Sequence, residues 1–300
     1  VLIVDPANRA GFVSDVTIRV SKKDGKVLRK SVEGTLTNVR DYPADEAFVR
    51  KFQPQYQSTI DFVSRKIGRI NQTISTKDAY FGPSAFIDLI HQLQLDISGA
   101  DISFCAPLSF NAEIREGDIY MSDMFNLYKY ENMLYVMQLS GQEIKDFLEM
   151  SYAIWTNQMK SADDHILLLN EEDKGFGRFK NPSFNFDSAA GIIYQGEKIR
   201  IESMADGTPF SLQKIYKVAV NSYRGNGGGD LLTKGAGIPK SELSKRIVFS
   251  TDKDLRYYLM KRIEEVKTLD PKPLNQWRFV PEEWTRPAIE RDYQLLFGNK

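Results

Sequence analysis

A β-branched run that ends in a cluster of glycines constrains the fold of this chain more than any other feature. Residues 218–230 read Val-Ala-Val-Asn-Ser-Tyr-Arg-Gly-Asn-Gly-Gly-Gly-Asp. The pattern predicts a strand that leads into a loop whose backbone approaches another group closely. The Lys-Ser/Thr pair of a phosphate loop and the βαβ setting of a dinucleotide fingerprint are both missing. Two interpretations stay open: a flat ligand that lies on Tyr223, or a glycine-rich turn with a half-exposed tyrosine.

The charge balance argues against a polyanionic partner. The chain has 300 residues with 40 basic and 40 acidic side chains, so it carries no basic footprint for polymeric nucleic acid. No apolar run is long enough for a membrane span. Cys105 lies in an apolar run, where a buried, inert thiol is favoured over a reactive one. Since the first residue is Val1, we expect a processed product or a segment that begins partway through a longer protein.

The N-terminal region combines a hairpin and a helix. Alternating residues before and after Asp24-Gly25 predict a β-hairpin within residues 1–40, which belongs to a larger sheet either downstream or upstream of this chain. From residue 45 to residue 70 the apolar spacing changes to three or four, which predicts a connecting helix interrupted near Pro54.

Beyond residue 75 the pattern predicts one mixed α+β domain. A capping box at Ser140 and Glu143 begins a helix directly after a strand. A polar excursion is expected over residues 159–180, which include the adjacent carboxylates Glu171 and Glu172. The remaining predicted elements are helices over 83–95 and from Thr251, strands over 100–106, 134–139, 191–195, 198–203 and 215–220, and an extended tail clamped by Trp277 and Trp284.

The sequence gives little support for a metal site or for a catalytic nucleophile. His91 and His165 occur in unrelated contexts and are best interpreted as structural or solvated residues. A transition-metal site needs more His and Cys ligands than this chain has, and there is no nucleophile-elbow sequence. No Asp/Glu cluster has a recognisable ligand spacing for Mg²⁺.

Aromatic residues next to strand ends are the better indication. Tyr130 and Asn132 come just before a predicted strand, and Tyr223 comes just after another. Two tyrosines on two loops would sandwich a planar base while Asn132 reads its edge, with stacking worth about 1 to 3 kcal/mol per base. The alternative is that Tyr128 and Tyr130 are ordinary strand residues.

Four segments in their order and spacing resemble a known family. They are Tyr128-Lys129-Tyr130-Glu131-Asn132 with the capping-box helix, Phe184-Asn185-Phe186-Asp187, Asn221-Ser222-Tyr223-Arg224 with its glycines, and Asn275-Gln276-Trp277-Arg278. The chain resembles the C-terminal, substrate-binding domain of the 5'-nucleotidase / 2',3'-cyclic-nucleotide phosphodiesterase family of two-domain metallophosphoesterases. The likeness covers most of residues 75–281.

The resemblance implies a domain organisation. Residues 1–40 are similar to the terminal strands of a truncated metallophosphoesterase domain, residues 41–74 to the linker helix, and residues 75–300 to the nucleotide-binding C-terminal domain. It also implies that two divalent metals and the catalytic residues belong to the missing N-terminal domain. This chain alone is then expected to bind no metal and to hydrolyse nothing. Family members of this kind are exported, which implies a periplasmic or cell-surface location.

The resemblance further implies a set of substrate-binding residues. Aromatic side chains at the positions of Tyr130 and Tyr223 hold the base, and the amide at Asn132 lies beside it. The full set that we carry over is Tyr130, Tyr223, Asn132, Asn111, Arg224, Gly227, Gly228 and Asp230.

Two departures indicate the cyclic phosphodiesterase / 3'-nucleotidase branch. Asn111 stands where 5'-nucleotidases carry the arginine of an Asn-x-Gly-Gly-Ile-Arg motif, and the aspartate of the glycine loop is displaced by one, to Gly229 or Asp230. Arg115 or Arg224 would substitute for the lost charge. The sequence thus predicts the nucleotide-binding domain of a metal-dependent phosphoesterase acting on 2',3'-cyclic nucleotides or on 3'- or 5'-nucleoside monophosphates. The alternative is a non-catalytic, stand-alone binding or interaction module on the same fold.

Overall fold

The computed structural model describes residues 2–170, 179–196 and 198–298. The chain divides into two compact units, Val1–Asp61 and Phe62–Lys300. The first begins with the antiparallel strands β1 (Phe12–Lys23) and β2 (Lys26–Asn38). Asp24 and Gly25 connect them with φ values of 52° and 76°, the left-handed pair that a tight hairpin turn requires.

The hairpin forms where the sequence predicts it, whereas the helix that follows differs from the prediction. Strands β1 and β2 pair with each other, and the larger sheet that this hairpin is expected to join stays a prediction. Helix α1 (Glu46–Val63) runs through Pro54 without interruption and ends seven residues before the predicted end at Ile70. Residues Lys66–Ile70 instead form a strand, in which Gly68 packs so closely on Ile263 that an added Cβ would lie 2.5 Å from its Cγ2 atom.

The second unit is a mixed α+β domain, as the sequence predicts. Its strands are β3 (Lys66–Ile70), β4 (Ile74–Ser75), β5 (Ile102–Cys105), β6 (Glu113–Ile114), β7 (Gly117–Tyr120), β8 (Met133–Ser140), β9 (Ser188–Ala190), β10 (Ile192–Gln195), β11 (Arg200–Met204), β12 (Ile215–Asn221), β13 (Ile247–Asp254), β14 (Thr268–Leu269) and β15 (Trp277–Arg278). The central sheet has the order β13-β8-β12-β5-β9, in which β12 and β5 are parallel and the other neighbours are antiparallel. Smaller sheets have the orders β11-β10-β15, β14-β3-β7 and β4-β6.

The helices of this unit are α2 (Ala85–Ser98), α3 (Met124–Leu127), α4 (Gly141–Trp155), α5 (Ser222–Gly225), α6 (Lys240–Arg246), α7 (Leu255–Val266) and α8 (Glu282–Phe297). The predicted capping box is confirmed, because the Ser140 hydroxyl accepts the Glu143 N–H at 3.2 Å and the Glu143 carboxylate accepts the Ser140 N–H at 2.7 Å. The predicted start at Thr251 is wrong: Thr251 belongs to β13, and Asp254 caps α7.

The extended tail is confirmed only as far as Pro281. Residues 270–276 have no regular secondary structure and Trp277 is buried, but α8 follows and contains Pro287. Its buried Asp292 accepts the backbone N–H groups of Ile166 and Leu167 and contacts His165. The predicted excursion is therefore not wholly exposed, since Ile166 and Leu167 are buried in the core. Residues 171–178 of that excursion, with Glu171 and Glu172, lie outside the described residues.

Two hydrophobic clusters cover opposite faces of the central sheet. Val218 and Val220 of β12 face the cluster that contains α4, whereas Ala219 between them faces the cluster that contains α2 and α7. This alternation is the period of a strand buried on both faces. His91 on α2 is fully buried between the Ser103 and Ser188 hydroxyls, and burial lowers its pKa to about 3. It is a structural, neutral histidine.

Candidate functional site

The antiparallel pairing of β8 and β12 brings two loops to one edge of the sheet. Asn221, the last residue of β12, pairs with Leu134 at the start of β8. The segment that precedes β8 and the segment that follows β12 must therefore meet. They are also joined directly, because the Met133 N–H donates to the Ser222 hydroxyl at 3.1 Å.

Tyr223 is held by a one-turn helix and by the glycine loop. The Asn221 side-chain oxygen caps α5 by accepting the Arg224 N–H at 2.8 Å. The Gly228 N–H returns to the Tyr223 carbonyl at 2.9 Å. An added Cβ on Gly228 would lie 2.5 Å from the Tyr223 ring, so the glycine backbone packs directly against that ring. The ring stays 44% exposed.

Arg224 lies beneath this loop rather than at its surface. It is only 1% exposed, and its guanidinium donates to both carboxylate oxygens of Asp187, at 3.1 and 2.5 Å. Its other hydrogen bonds go to the Asn185 side chain and to the carbonyls of Phe184 and Gly228. All five N–H donors of a guanidinium are thus engaged. The geometry gives Arg224 a positioning role and leaves it no donor for a phosphate.

The rest of the glycine loop is shaped around that guanidinium. Gly229 has φ +71°, and an added Cβ would lie 2.2 Å from Arg224 Nη1. Gly227 and Asp230 also adopt positive φ, at 91° and 63°. The Asp230 carboxylate accepts from the Lys234 ammonium at 2.8 Å, and this hydrogen bond lowers the pKa of Asp230.

Tyr130 and Asn132 lie opposite, in the irregular segment between α3 and β8. The Asn132 carbonyl accepts the Leu255 N–H at 2.9 Å, which fixes this segment to the start of α7. Tyr130 is 41% exposed, and the Lys129 ammonium lies 5.7 Å from its ring centroid. Among the described residues there is no direct ring contact between Tyr130 and Tyr223, so the space between them is open.

A cavity of about 210 Å³ occupies that space. Its lining is mostly apolar and consists of Leu108, Tyr130, Asn132, Phe184, Asn221 and Tyr223. Phe184 stands edge-on to Tyr223, with ring centroids 6.4 Å apart. The cavity therefore has aromatic walls and two side-chain amides, and no charged side chain belongs to its described lining.

The predicted residues divide into two groups. Tyr130, Asn132 and Tyr223 line the cavity, whereas Asn111, Arg224, Gly227, Gly228 and Asp230 do not. Asn111 is exposed, and Arg115 is an exposed residue whose guanidinium pairs with Glu113 at 3.0 Å.

The lining residues that the prediction omitted are Leu108, Phe184 and Asn221. Phe184 and Asn221 belong to the sequence segments that carry the resemblance. Their place in those segments is the sequence feature from which they could have been predicted.

No group of three or more His, Cys, Asp or Glu side chains within the described ranges could hold a metal ion. Cys105 is buried, and burial raises the pKa of its thiol. In the described part of the chain, no helix combines the length and the apolar character that crossing a bilayer requires.

Fold and site together define a mixed α+β domain with an aromatic-walled cavity. The chain belongs to the 5'-nucleotidase C-terminal domain family, whose profile matches residues 66–234, more than half of the chain. All residues of the cavity lie within that match. The resemblance inferred from the four sequence segments is thereby confirmed.

Two curated proteins that are similar to this chain are phosphoesterases. The trifunctional nucleotide phosphoesterase YfkN of Bacillus subtilis is 26% identical over 96% of this chain and 21% of its own length. The 2',3'-cyclic-nucleotide 2'-phosphodiesterase/3'-nucleotidase of Haemophilus influenzae is 22% identical over 92% of this chain and 48% of its own length. The chain thus spans half or less of these relatives.

A solved structure shows the same fold. A Staphylococcus aureus protein that is provisionally assigned as a 5'-nucleotidase superposes with a TM-score of 0.66 at 19% identity, over 87% of this chain and 49% of that one. At this identity the likeness concerns the fold alone.

Proposed function

We propose that the cavity binds the base of a nucleoside or nucleotide between the rings of Tyr130 and Tyr223. The observation that carries this proposal is that two half-exposed tyrosines on separate segments line one apolar cavity with open space between them. A flat heteroaromatic ring gains about 1 to 3 kcal/mol from such stacking. Asn132 and Asn221 supply amides for the edge of the base.

The uncharged lining indicates which part of the ligand this chain recognises. Because Arg224 is enclosed by protein acceptors and Arg115 pairs with Glu113, neither neutralises a phosphate at the cavity. A nucleoside should then bind about as tightly as the corresponding nucleotide.

The chain would act as the substrate-binding part of a metal-dependent phosphoesterase for 2',3'-cyclic nucleotides or for 3'- or 5'-nucleoside monophosphates. The names of the two curated relatives support this assignment. Catalysis and the two divalent metals would belong to a metallophosphoesterase domain whose terminal strands are residues 1–40, joined by residues 41–74 to the binding domain 75–300. The parent protein would be exported to the periplasm or cell surface.

Titration calorimetry of the 300-residue chain tests the base-binding step. The ligands are adenosine, 3'-AMP and 2',3'-cyclic AMP, and the comparison is with Tyr223→Ala. All three should bind the wild type, and all should bind the variant about 5- to 150-fold more weakly, the loss of one stacking partner. Absence of binding to the wild type would overturn the nucleotide assignment, and equal binding with and without Tyr223 would overturn the sandwich.

A further inference from the structure

A buried hydroxyl next to the cavity lacks a hydrogen-bond partner. Tyr128 is 1% exposed, and within the described residues its hydroxyl makes no hydrogen bond. An unpaired polar group in the core is destabilising, and most buried hydroxyls are paired. Its position therefore requires an explanation that packing alone does not give.

The neighbours of this hydroxyl are two residues of the cavity lining. The amides of Asn132 and Asn221 both lie beside it and both line the cavity. Burial raises the pKa of Tyr128 far above its ordinary value, and the two amides act in the opposite direction. Asn132 and Asn221 form the polar part of the lining, which we call the floor of the cavity. Tyr128 lies behind this floor, next to both side chains.

The hydrogen bonds already present limit what this floor can offer. Asn221 Oδ1 is occupied by the Arg224 N–H, while the side-chain amides of Asn132 and Asn221 both lie within reach of the Tyr128 hydroxyl. Terminal amide torsions rotate at little cost. If the Tyr128 hydroxyl donates to Asn132 Oδ1, both amide oxygens are taken and only N–H donors face the cavity.

This inference rests on the proposed function. We propose that Tyr128 is a positioning residue that turns the Asn132 oxygen away from the cavity, so that the floor selects bases whose ring edge carries a carbonyl oxygen. The favoured class is 6-oxopurines and uracil-type pyrimidines. Where an amino group replaces this carbonyl oxygen, an N–H donor of the base faces an N–H donor of the protein, so one hydrogen bond is lost and the base binds more weakly.

The test compares ligands that differ only at this edge. Calorimetry of the wild-type chain should give about tenfold tighter binding of inosine than of adenosine, and of uridine than of cytidine, the worth of one hydrogen bond. In Tyr128→Phe the preference should fall below about twofold. The midpoint of thermal unfolding should fall no further than in a variant that removes another hydrogen-bonded buried tyrosine hydroxyl, because each removes one hydrogen bond.

Tyr216→Phe is the matched control. The Tyr216 hydroxyl is also buried, but it accepts the Ser211 N–H at 2.8 Å and belongs to the other end of β12. This variant should unfold at a lower temperature and keep the preference. If Tyr128→Phe does not fold, Asn132→Asp provides the second measurement, because an acceptor at the floor should reverse the preference toward adenosine.

Equal affinities of the wild type for inosine and adenosine would overturn the inference while leaving base binding intact. The same holds if the tenfold preference survives in Tyr128→Phe, or if Asn132→Asp leaves its direction unchanged. If no nucleoside binds the wild type, the proposed function itself fails. The two failures are therefore distinguishable.

Discussion

Replacing Gly228 by alanine should weaken base binding without touching the ligand. An added Cβ would lie 2.5 to 2.6 Å from three atoms of the Tyr223 ring, whereas ordinary contacts begin at 3.4 Å. The ring must therefore move by about 1 Å. Because the ring is half-exposed it has room to move outward, so the fold should survive while the ring leaves its stacking position.

The loss of binding free energy in Gly228→Ala should not exceed the stacking energy of the whole Tyr223 ring. Tyr223→Ala removes about 1 to 3 kcal/mol of stacking, and Gly228→Ala should approach that loss although the tyrosine is still present. Calorimetry with adenosine measures both variants, and urea denaturation measures their stability. Gly82→Ala is the control, since an added Cβ there meets nothing within 4 Å and the affinity should not change.

Gly229→Ala gives the contrasting result. Its Cβ would collide with the buried Arg224 guanidinium at a positive φ, so stability should fall together with affinity. The reasoning is refuted if Gly228→Ala binds adenosine like the wild type while Tyr223→Ala does not. It is equally refuted if Gly228→Ala loses affinity only because the protein unfolds.

Three further results are expected. Asp187→Asn should lower the free energy of unfolding by about 3 to 5 kcal/mol in urea denaturation, because it leaves the buried Arg224 guanidinium without its counter-charge; a change below about 1 kcal/mol would contradict this. Burial raises the pKa of Asp88 from 3.8 to about 6, so the folded state binds its proton more tightly and stability falls as the pH rises from about 4 through 6. Relative to Asp88→Asn, the wild type should lose about 2 to 3 kcal/mol over that interval, and parallel pH profiles would refute the cause. The purified chain should release no phosphate from 2',3'-cyclic AMP or 3'-AMP with added divalent metal, and metal-dependent release would show catalytic groups that the described residues do not reveal.

Sequence patterns within a few residues predicted helices and strands well. The predictions failed where contacts between distant segments determine the structure. The helix at Ser140 follows from a capping box that is complete within four residues. The predicted helix start at Thr251 is wrong because its hydroxyl accepts the Leu134 N–H of a distant strand. Pro287 made the tail look extended, although α8 tolerates it six residues in. In this helix the buried Asp292, which binds residues 165–167, adds tertiary support that no local pattern encodes.

The candidate site shows the same division. Tyr130, Asn132 and Tyr223 were predicted because each adjoins a strand end, and the pairing of β8 with β12 brings those ends together. Phe184 reaches the cavity only through the contacts of its segment with Arg224, which no spacing along the chain reveals. The expectation of a phosphate contact for Arg224 rested on its charge, whereas all its guanidinium acceptors except the Gly228 carbonyl come from Phe184, Asn185 and Asp187, far away along the chain.

The enclosed guanidinium of Arg224 has a consequence for how this domain changes its ligand. Its hydrogen bonds reach the backbone of Phe184 on one wall of the cavity and that of Gly228, which supports Tyr223, on the other. Both walls are thus anchored to a single ion pair, and neither can be repositioned independently. In such a domain, specificity for a new base would arise from substitution of cavity side chains, such as Phe184, Asn132 or Asn221, while the backbone of the two walls keeps its position. Changes in the length of its glycine loop should be rare.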